Sequence, residues 1–348
     1  PCHCGHRSLV THQPSTLRSG LKSIMARSSV QVVPIDLCNW MSNLSAEVYR
    51  QPLNWLAIPG SHNSFTSAIN RHSVPSPDGS AYRLVRLMPQ CMVGSILPRW
   101  TITQSVDIVG QLRGGIRYFD LRVCVQKADV KHSTADMDTF ILVHGQYATP
   151  VTKELSKIVQ FSREHPREVI LLDFNHLYEF HTEEQLLKFE KVVCDILNPL
   201  LYPFESQIPS LDTVWKSGKS ILFFNCMRAQ GNDKFWPGSR MVSLWPETSH
   251  VNEMIRFLNQ RYGPSYNRQA NTFYVHQGIL TPDASYVVHH SLGSVRRLAK
   301  SAGQAFQQWL LAPERMAGPR GINVTLMDFV ISDFPDYART VILLNYKS

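Results

Sequence analysis

Five polar residues of this chain fall where apolar runs end or are interrupted. His62 follows "NWLAIPGS", Asp120 and Arg122 lie two apart in "GGIRYFDLRVC", His144 closes "FILVH", and Asp328 interrupts "NVTLMDFV". Two imidazoles flanking a guanidinium suit phosphoryl transfer. One ring takes a proton from the nucleophile, the other gives one to the leaving oxygen, and the guanidinium grips phosphate oxygens in a fork. A buried carboxylate can fix the tautomer of the base. Each residue also has a purely structural reading: a satisfied histidine at a strand end, an Asp–Arg ion pair, an aspartate bonded to a backbone amide. Their joint occurrence at the ends of successive runs favours chemistry.

These runs are short, β-branched and aromatic, and alternate with longer polar segments: "NWLAI", "IRYFDLRV", "FILVHG", "VILLDFNH", "SILFFNC", "RMVSLW", "TFYVH" and "NVTLMDFV". "VTKELSKIVQFSREHP" places Leu155, Ile158, Val159 and Phe161 near a 3.6-residue period and stops before proline. "TEEQLLKFEKVVCDILNPLL" opens with Thr182 and two acidic residues, a capping start, and "EMIRFLNQRYG" ends at Gly263. Alternation repeated about eight times predicts an α/β protein with a single (β/α)8 barrel of the TIM type, regular or distorted. The sixth strand carries the weakest pattern. A doubly wound open sheet is the alternative, but no Gly-rich phosphate loop follows the first strand. In such a barrel the strand C-termini form the reactive face, and the histidines, Arg122 and Asp328 fall there.

The 348 residues are 43% hydrophobic and 18% charged, enough for a substantial core, and no apolar run reaches the length of about 18 needed to span a bilayer. The formal charge of +8 allows anionic lipid or nucleic acid as partner. No zinc-finger spacing, RNA-binding aromatic signature or basic block supports nucleic acid. Seven scattered cysteines suggest a reducing compartment. Cys2, Cys4 and His6 do not match a zinc pattern. The glycosylation triplets at Asn43 and Asn323 are discounted, the second because it lies in a core strand. Residues up to Ile35 contain no Asp or Glu but carry Arg7, Arg18, Lys22 and Arg27. We therefore read 1–49 as an N-terminal extension, largely disordered to about residue 35, and 50–348 as the barrel. A transit peptide is the weaker reading of that extension.

Taken together, "LAIPGSHNSF", "GIRYFDLRV", "LVHG", "VILLDFNH", "WPG" and "QGILTP" resemble the X-domain-only phosphatidylinositol-specific phospholipase C proteins of animals. The likeness runs from about Asn54 to Asp328. It implies that His62 is the general base for the inositol 2-hydroxyl, His144 the general acid toward diacylglycerol, Arg122 the stabiliser of phosphorane charge, and Asp328 the carboxylate orienting the base. The implied products are diacylglycerol and an inositol cyclic phosphate. Asp120 and Asn63 would support the site. Asn175 and His176 at one strand end, and Arg228 after another, are candidate substrate contacts; Tyr147 and Lys153 carry no assignment, and Trp236 and Trp245 read as core.

No cofactor or metal is expected. Calcium takes about 6–8 oxygen ligands, and the calcium-dependent relatives have acidic residues where this chain has Arg122 and Phe174. Asn63 departs from the pattern: many relatives have Asp after the first histidine, and an amide cannot raise an imidazole pKa by charge. Two alternatives follow: a catalytically weakened lipid-binding or regulatory protein of the same fold, and a phosphodiesterase acting on other glycero- or sphingo-phosphodiesters. The expected partners are a phosphoinositide substrate and an anionic membrane surface, for a monomer that is cytoplasmic and peripheral at membranes.

Overall fold

The computed structural model describes residues 35–79, 89–126, 139–229, 232–290 and 292–347. The sequence readings of the segment before Ile35, including Cys2, Cys4 and His6, lie outside them. The compact unit runs from Asp36. Its first segment is tied down by buried polar groups. Trp40 donates its indole N–H to the Gly115 carbonyl, and Arg117 donates to the carbonyls of Leu37 and Cys38. Glu168 pairs with Arg117 at 2.9 Å and also accepts from the Ser42 amide and hydroxyl. A fully buried ion pair persists only when its remaining hydrogen-bonding capacity is filled, and residues 37–42 fill it.

Among the described residues ten strands form the sheet: β1 (Ile58–Ser61), β2 (Tyr118–Gln126), β3 (Thr139–Val143), β4 (Tyr147–Pro150), β5 (Ile170–Tyr178), β6 (Ile221–Asn225), β7 (Trp236–Pro237), β8 (Met241–Val242), β9 (Phe273–Gln277) and β10 (Val324–Met327). Eight of them run parallel in the order β7-β6-β5-β2-β1-β10-β9-β8, a nearly closed barrel whose gap lies between β7 and β8. The (β/α)8 expectation holds for the fold, with two departures. "FILVHG" is not a barrel strand: β3 pairs antiparallel with β2 and then with β4, forming a flap above the rim. This is possible because β2 and β5 are each nine residues long and outrun their neighbours, leaving a free edge on β2. The barrel strand read there is replaced by Trp236–Pro237, too short for a sequence pattern. Between β6 and β8 no α-helix occurs among the described residues; the 3-10 turn Gly238–Arg240 joins β7 to β8.

The outer helices follow from amphipathic patterning. Val151–Glu164 buries Leu155, Ile158, Val159 and Phe161, and Glu183–Leu197 starts at the Thr182–Gln185 capping box and buries Phe189 and Val193. Inside the barrel, β1 is buried at all four positions. Gly60 is required there because a Cβ would lie 2.6 Å from the Tyr118 ring and 2.7 Å from the Thr325 carbonyl oxygen. Asn323 is buried and spends its amide on the Leu53 and Leu56 carbonyls. Trp236 is fully buried.

Candidate active site

Close packing at Gly60 carries the chain to the end of β1, where His62 emerges. The His62 amide donates to the Met327 carbonyl, and its own carbonyl accepts from Gln104 and Thr103. Asn63 follows in the left-handed region at φ 41°, which asparagine tolerates better than most residues. Its amide donates to Asp120 Oδ2 at 3.0 Å. The polar turn after Pro59-Gly60 therefore fixes the imidazole from both sides.

Asp328 leaves the end of the adjacent strand β10, and its Oδ1 lies 2.7 Å from His62 Nδ1. A carboxylate only accepts, so Nδ1 carries the proton and Nε2 keeps its lone pair. The Asn63 side-chain amide donates to that Nε2 at 2.9 Å, which leaves Asn63 Oδ1 buried without a partner. Asp120 Oδ2 lies 3.8 Å from Nε2. Burial pushes Asp120 up, but the charges of His62 and Arg122 and the bonds from Asn63 and Asn175 outweigh it and hold the carboxyl below its ordinary range.

His144 arrives on the flap, not on a barrel strand. Its Nδ1 donates to the Thr101 carbonyl at 2.7 Å, leaving Nε2 as the ring's other hydrogen-bonding atom. The His62 and His144 ring centroids are 6.1 Å apart, edge to face at 68°, a spacing on the scale of a phosphoryl group with its oxygens. Burial, then Arg122 and His62, push His144 down to about 4. Arg122 lies among these groups. It lines one small void with Asn63, its Nε is buried without a hydrogen-bond partner, and its charge adds to burial in lowering both His144 and His176.

Thus His62, Asn63, Asp120, Arg122, His144 and Asp328 converge on the C-terminal end of the barrel. Asn175 and His176 stand beside them. Asn175 donates to Asp120 Oδ1, and its own carbonyl oxygen is 2.7 Å from His176 Nδ1. Arg228 is turned elsewhere: it donates to the Phe235 carbonyl, and its guanidinium lies 5.5 Å from the Phe204 ring centre. Sequence reasoning missed Gln104, whose amide bridges the His62 and Met327 carbonyls and so joins the two strand ends that carry His62 and Asp328. A glutamine in a loop offers no periodic signal. A cavity of about 420 Å³ opens at the opposite end of the barrel, beside Asn54, Thr272 and Arg268. The Arg268 guanidinium is spent there on the Gly321 and Arg261 carbonyls.

The oxygen donors do not fit calcium. Both Asp120 oxygens already accept hydrogen bonds, and a guanidinium stands among the same groups. Among the described residues, no group of three or more His, Cys, Asp or Glu side chains is set to hold a metal ion.

A parallel barrel whose rim gathers one histidine from a strand end, a second from the flap, an arginine and two buried carboxylates defines the class as a phosphodiesterase-type barrel. The chain is 32% identical over 317 residues to PI-PLC X domain-containing protein 2 of Mus musculus, across 89% of this chain and 88% of that protein. It is 30% identical over 319 residues to PI-PLC X domain-containing protein 3 of Homo sapiens, across 90% of this chain and 94% of that protein. The chain belongs to the PI-PLC X domain-containing protein family. No protein-family profile matches the sequence. Among solved structures, a phosphatidylinositol-specific phospholipase C from Staphylococcus aureus superposes with TM-score 0.62 at 17% identity, covering 89% of this chain and 97% of that one. The Listeria monocytogenes phosphatidylinositol-specific phospholipase C gives 0.59 at 17% identity, covering 89% and 99%. These two similarities establish the shared fold.

Proposed function

We propose that this protein is a phosphoric diester hydrolase that cleaves inositol phospholipids, with His62 as general base, His144 as general acid and Arg122 in the place of a metal. The observation that carries the reading is the His62–Asp328 contact of 2.7 Å facing a second imidazole 6.1 Å away. The inositol 2-hydroxyl displaces the Asn63 amide from Nε2, gives its proton to that nitrogen and attacks phosphorus. The new oxygen–phosphorus bond closes a cyclic phosphate. The bond to the diacylglycerol oxygen breaks as His144 protonates that oxygen. Arg122 stabilises the charge on the nonbridging oxygens, a contribution on the order of 3 kcal/mol in sites of this kind.

The test is incubation with phosphatidylinositol vesicles in the presence of a chelator. Diacylglycerol and cyclic inositol phosphate are expected at the rate seen without chelator. A strict need for calcium or magnesium would sink the metal-independent mechanism and favour other phosphodiester substrates.

A second reading, a lipid-binding protein with weakened turnover, is favoured by two features. The Asn63 amide occupies the lone pair of the base, and His144 is held down near 4, away from its acid form. Vesicle binding without product formation would select it.

The same reading calls for contact with a membrane surface. Val74, Met92, Met227, Leu244 and Leu292 are exposed large apolar side chains, Leu292 at 89%. All five lie on segments that leave the C-terminal ends of β1, β6, β8 and β9, the end that carries the site. Scattered exposed apolar residues need no explanation, but several on the connections that follow the site-bearing strand ends favour contact with lipid. No helix of the described residues is long and apolar enough to cross a membrane. Replacing Leu244 and Leu292 together by Asp is expected to weaken partition onto phosphatidylinositol vesicles about tenfold, the cost of losing partial burial of two leucines. Sedimentation of vesicles reads the effect. Hydrolysis of a water-soluble inositol phosphodiester should be unchanged, and equal loss on both substrates would contradict a surface role.

A further inference from the structure

The loop between β1 and the helix Gln90–Thr101 brings a carboxylate to His144 that the sequence motifs do not mark. Residues 73–78 close over the turn at the end of β3 through a set of specific bonds. Tyr147 N donates to the Val74 carbonyl, Ser76 N to the Gly145 carbonyl and the Gln146 side chain to the Ser73 carbonyl. Asp78 Oδ2 accepts from the Gly145 amide at 2.8 Å, and its other oxygen accepts from the Ser76 hydroxyl. On the far side of the turn, Thr101 receives His144 Nδ1 and donates its hydroxyl to Gln146. Gly145 has φ 65°, and a Cβ there would lie 2.7 Å from Thr101 Cγ2. The imidazole therefore sits in a turn clamped between the 73–78 loop and the last residue of the helix Gln90–Thr101, with a carboxylate bonded to the very next amide.

We propose that Asp78 is the positioning residue for His144, a carboxylate brought from the loop to hold the acid imidazole in place and favour its protonated state. The proposal rests on the hydrolase reading above and answers the question raised by Asn63, since no carboxylate follows the first histidine. Beside the His144 ring stand His62, its centroid 6.1 Å away, and the Thr101 carbonyl at 2.7 Å, and the charges of Arg122 on β2 and of Asp78 act on it. Burial opposes a proton on His144 most, then the charges of Arg122 and His62; the Thr101 carbonyl and Asp78 favour one. When a phosphodiester anion binds Arg122, the main opposing charge is offset and the Asp78 contribution remains. Binding of the anion therefore moves His144 toward its acid form.

Asp78→Asn keeps the shape and an oxygen for the Gly145 amide while removing the charge. On phosphatidylinositol it is expected to lower turnover about tenfold, a part of the 10²–10⁴ that a positioned acid contributes. On an inositol p-nitrophenyl phosphodiester, whose leaving group needs no proton, the loss should be less than about twofold. Asp78→Glu should recover part of the phosphatidylinositol turnover. Equal losses on both substrates would mean that Asp78 only supports the fold, and no loss on either would remove it from the reaction; both outcomes overturn the proposal.

A second measurement is independent of turnover, so it separates this proposal from the hydrolase reading. Titration of carbon-13-labelled His144 by NMR should give a lower pKa in Asp78→Asn than in the parent protein. Should the parent cleave neither substrate, the hydrolase reading fails and this shift alone decides: a downward shift supports the pairing, an unchanged pKa ends it.

Discussion

Replacing His62 by glutamine is expected to lower turnover on phosphatidylinositol by about 10³-fold, or about 4 kcal/mol of activation free energy. Glutamine is chosen because it fills similar space and can still donate to Asp328, which is buried and otherwise left unpaired. What it cannot do is take the 2-hydroxyl proton. The effect belongs to chemistry and not to folding, so the thermal unfolding curve should stay near that of the parent. Asp328→Asn is expected to reproduce much of the loss. An amide can donate to His62 Nδ1, which favours the tautomer with its proton on Nε2 and leaves no base toward the substrate. Initial rates of cyclic phosphate formation, followed by phosphorus NMR, measure both. A His62→Gln protein that kept more than about a tenth of the parent rate would remove this imidazole from the proton-transfer step.

Much of that arrangement is legible in the linear chain, for a physical reason. A parallel strand buried on both faces reads as an apolar run, and the polar residue that ends or breaks the run is then conspicuous. His62 after "LAIPGS" and Asp328 within "TLMDF" are of this kind, and the structure joins them by a hydrogen bond. The eight-strand barrel is legible for the same reason. The flap is not, because β3 has the composition of a barrel strand and only the extra length of β2 gives it an antiparallel edge to occupy. Nor are β7 and β8 fully legible, since two-residue strands leave no period. Asp78 and Gln104 lie in loops, where a side chain's partner is set by the tertiary path of the backbone. Asn175 shows the converse: it stands at the expected strand end, but its amide is already committed to Asp120.

The hydrogen bonds also explain how one short turn serves two purposes. Asp120 holds the backbone of Asn63 and Ser64, and through them the base. It also faces Arg122, whose charge helps keep it ionised. Removing the guanidinium should therefore be felt at Asp120 and at the His144 imidazole.

Arg122→Met should therefore produce two effects of opposite sign. Loss of the guanidinium removes the stabilisation of the phosphorane oxygens, and turnover is expected to fall by about 10²–10³, or about 3–4 kcal/mol. At the same time the Arg122 charge, which adds to burial in depressing His144, disappears, so the pKa of that ring rises part of the way toward its ordinary value. A group needed in its protonated form stays active to higher pH when its pKa rises, so the alkaline limb of kcat/KM should move upward while the plateau drops. Arg122→Lys keeps a charge without the fork and should fall between the parent and Arg122→Met in rate, with a smaller displacement of the limb. Calcium should not restore either variant, because Asp120 has committed both oxygens to Asn63 and Asn175 and the ion needs about 6–8 such donors. A pH–rate series on a soluble inositol phosphodiester, with and without calcium, resolves the two effects. A fall in rate with the limb unmoved would mean that Arg122 does not face His144 in the working enzyme, and recovery with calcium would return the metal to the centre of the reaction.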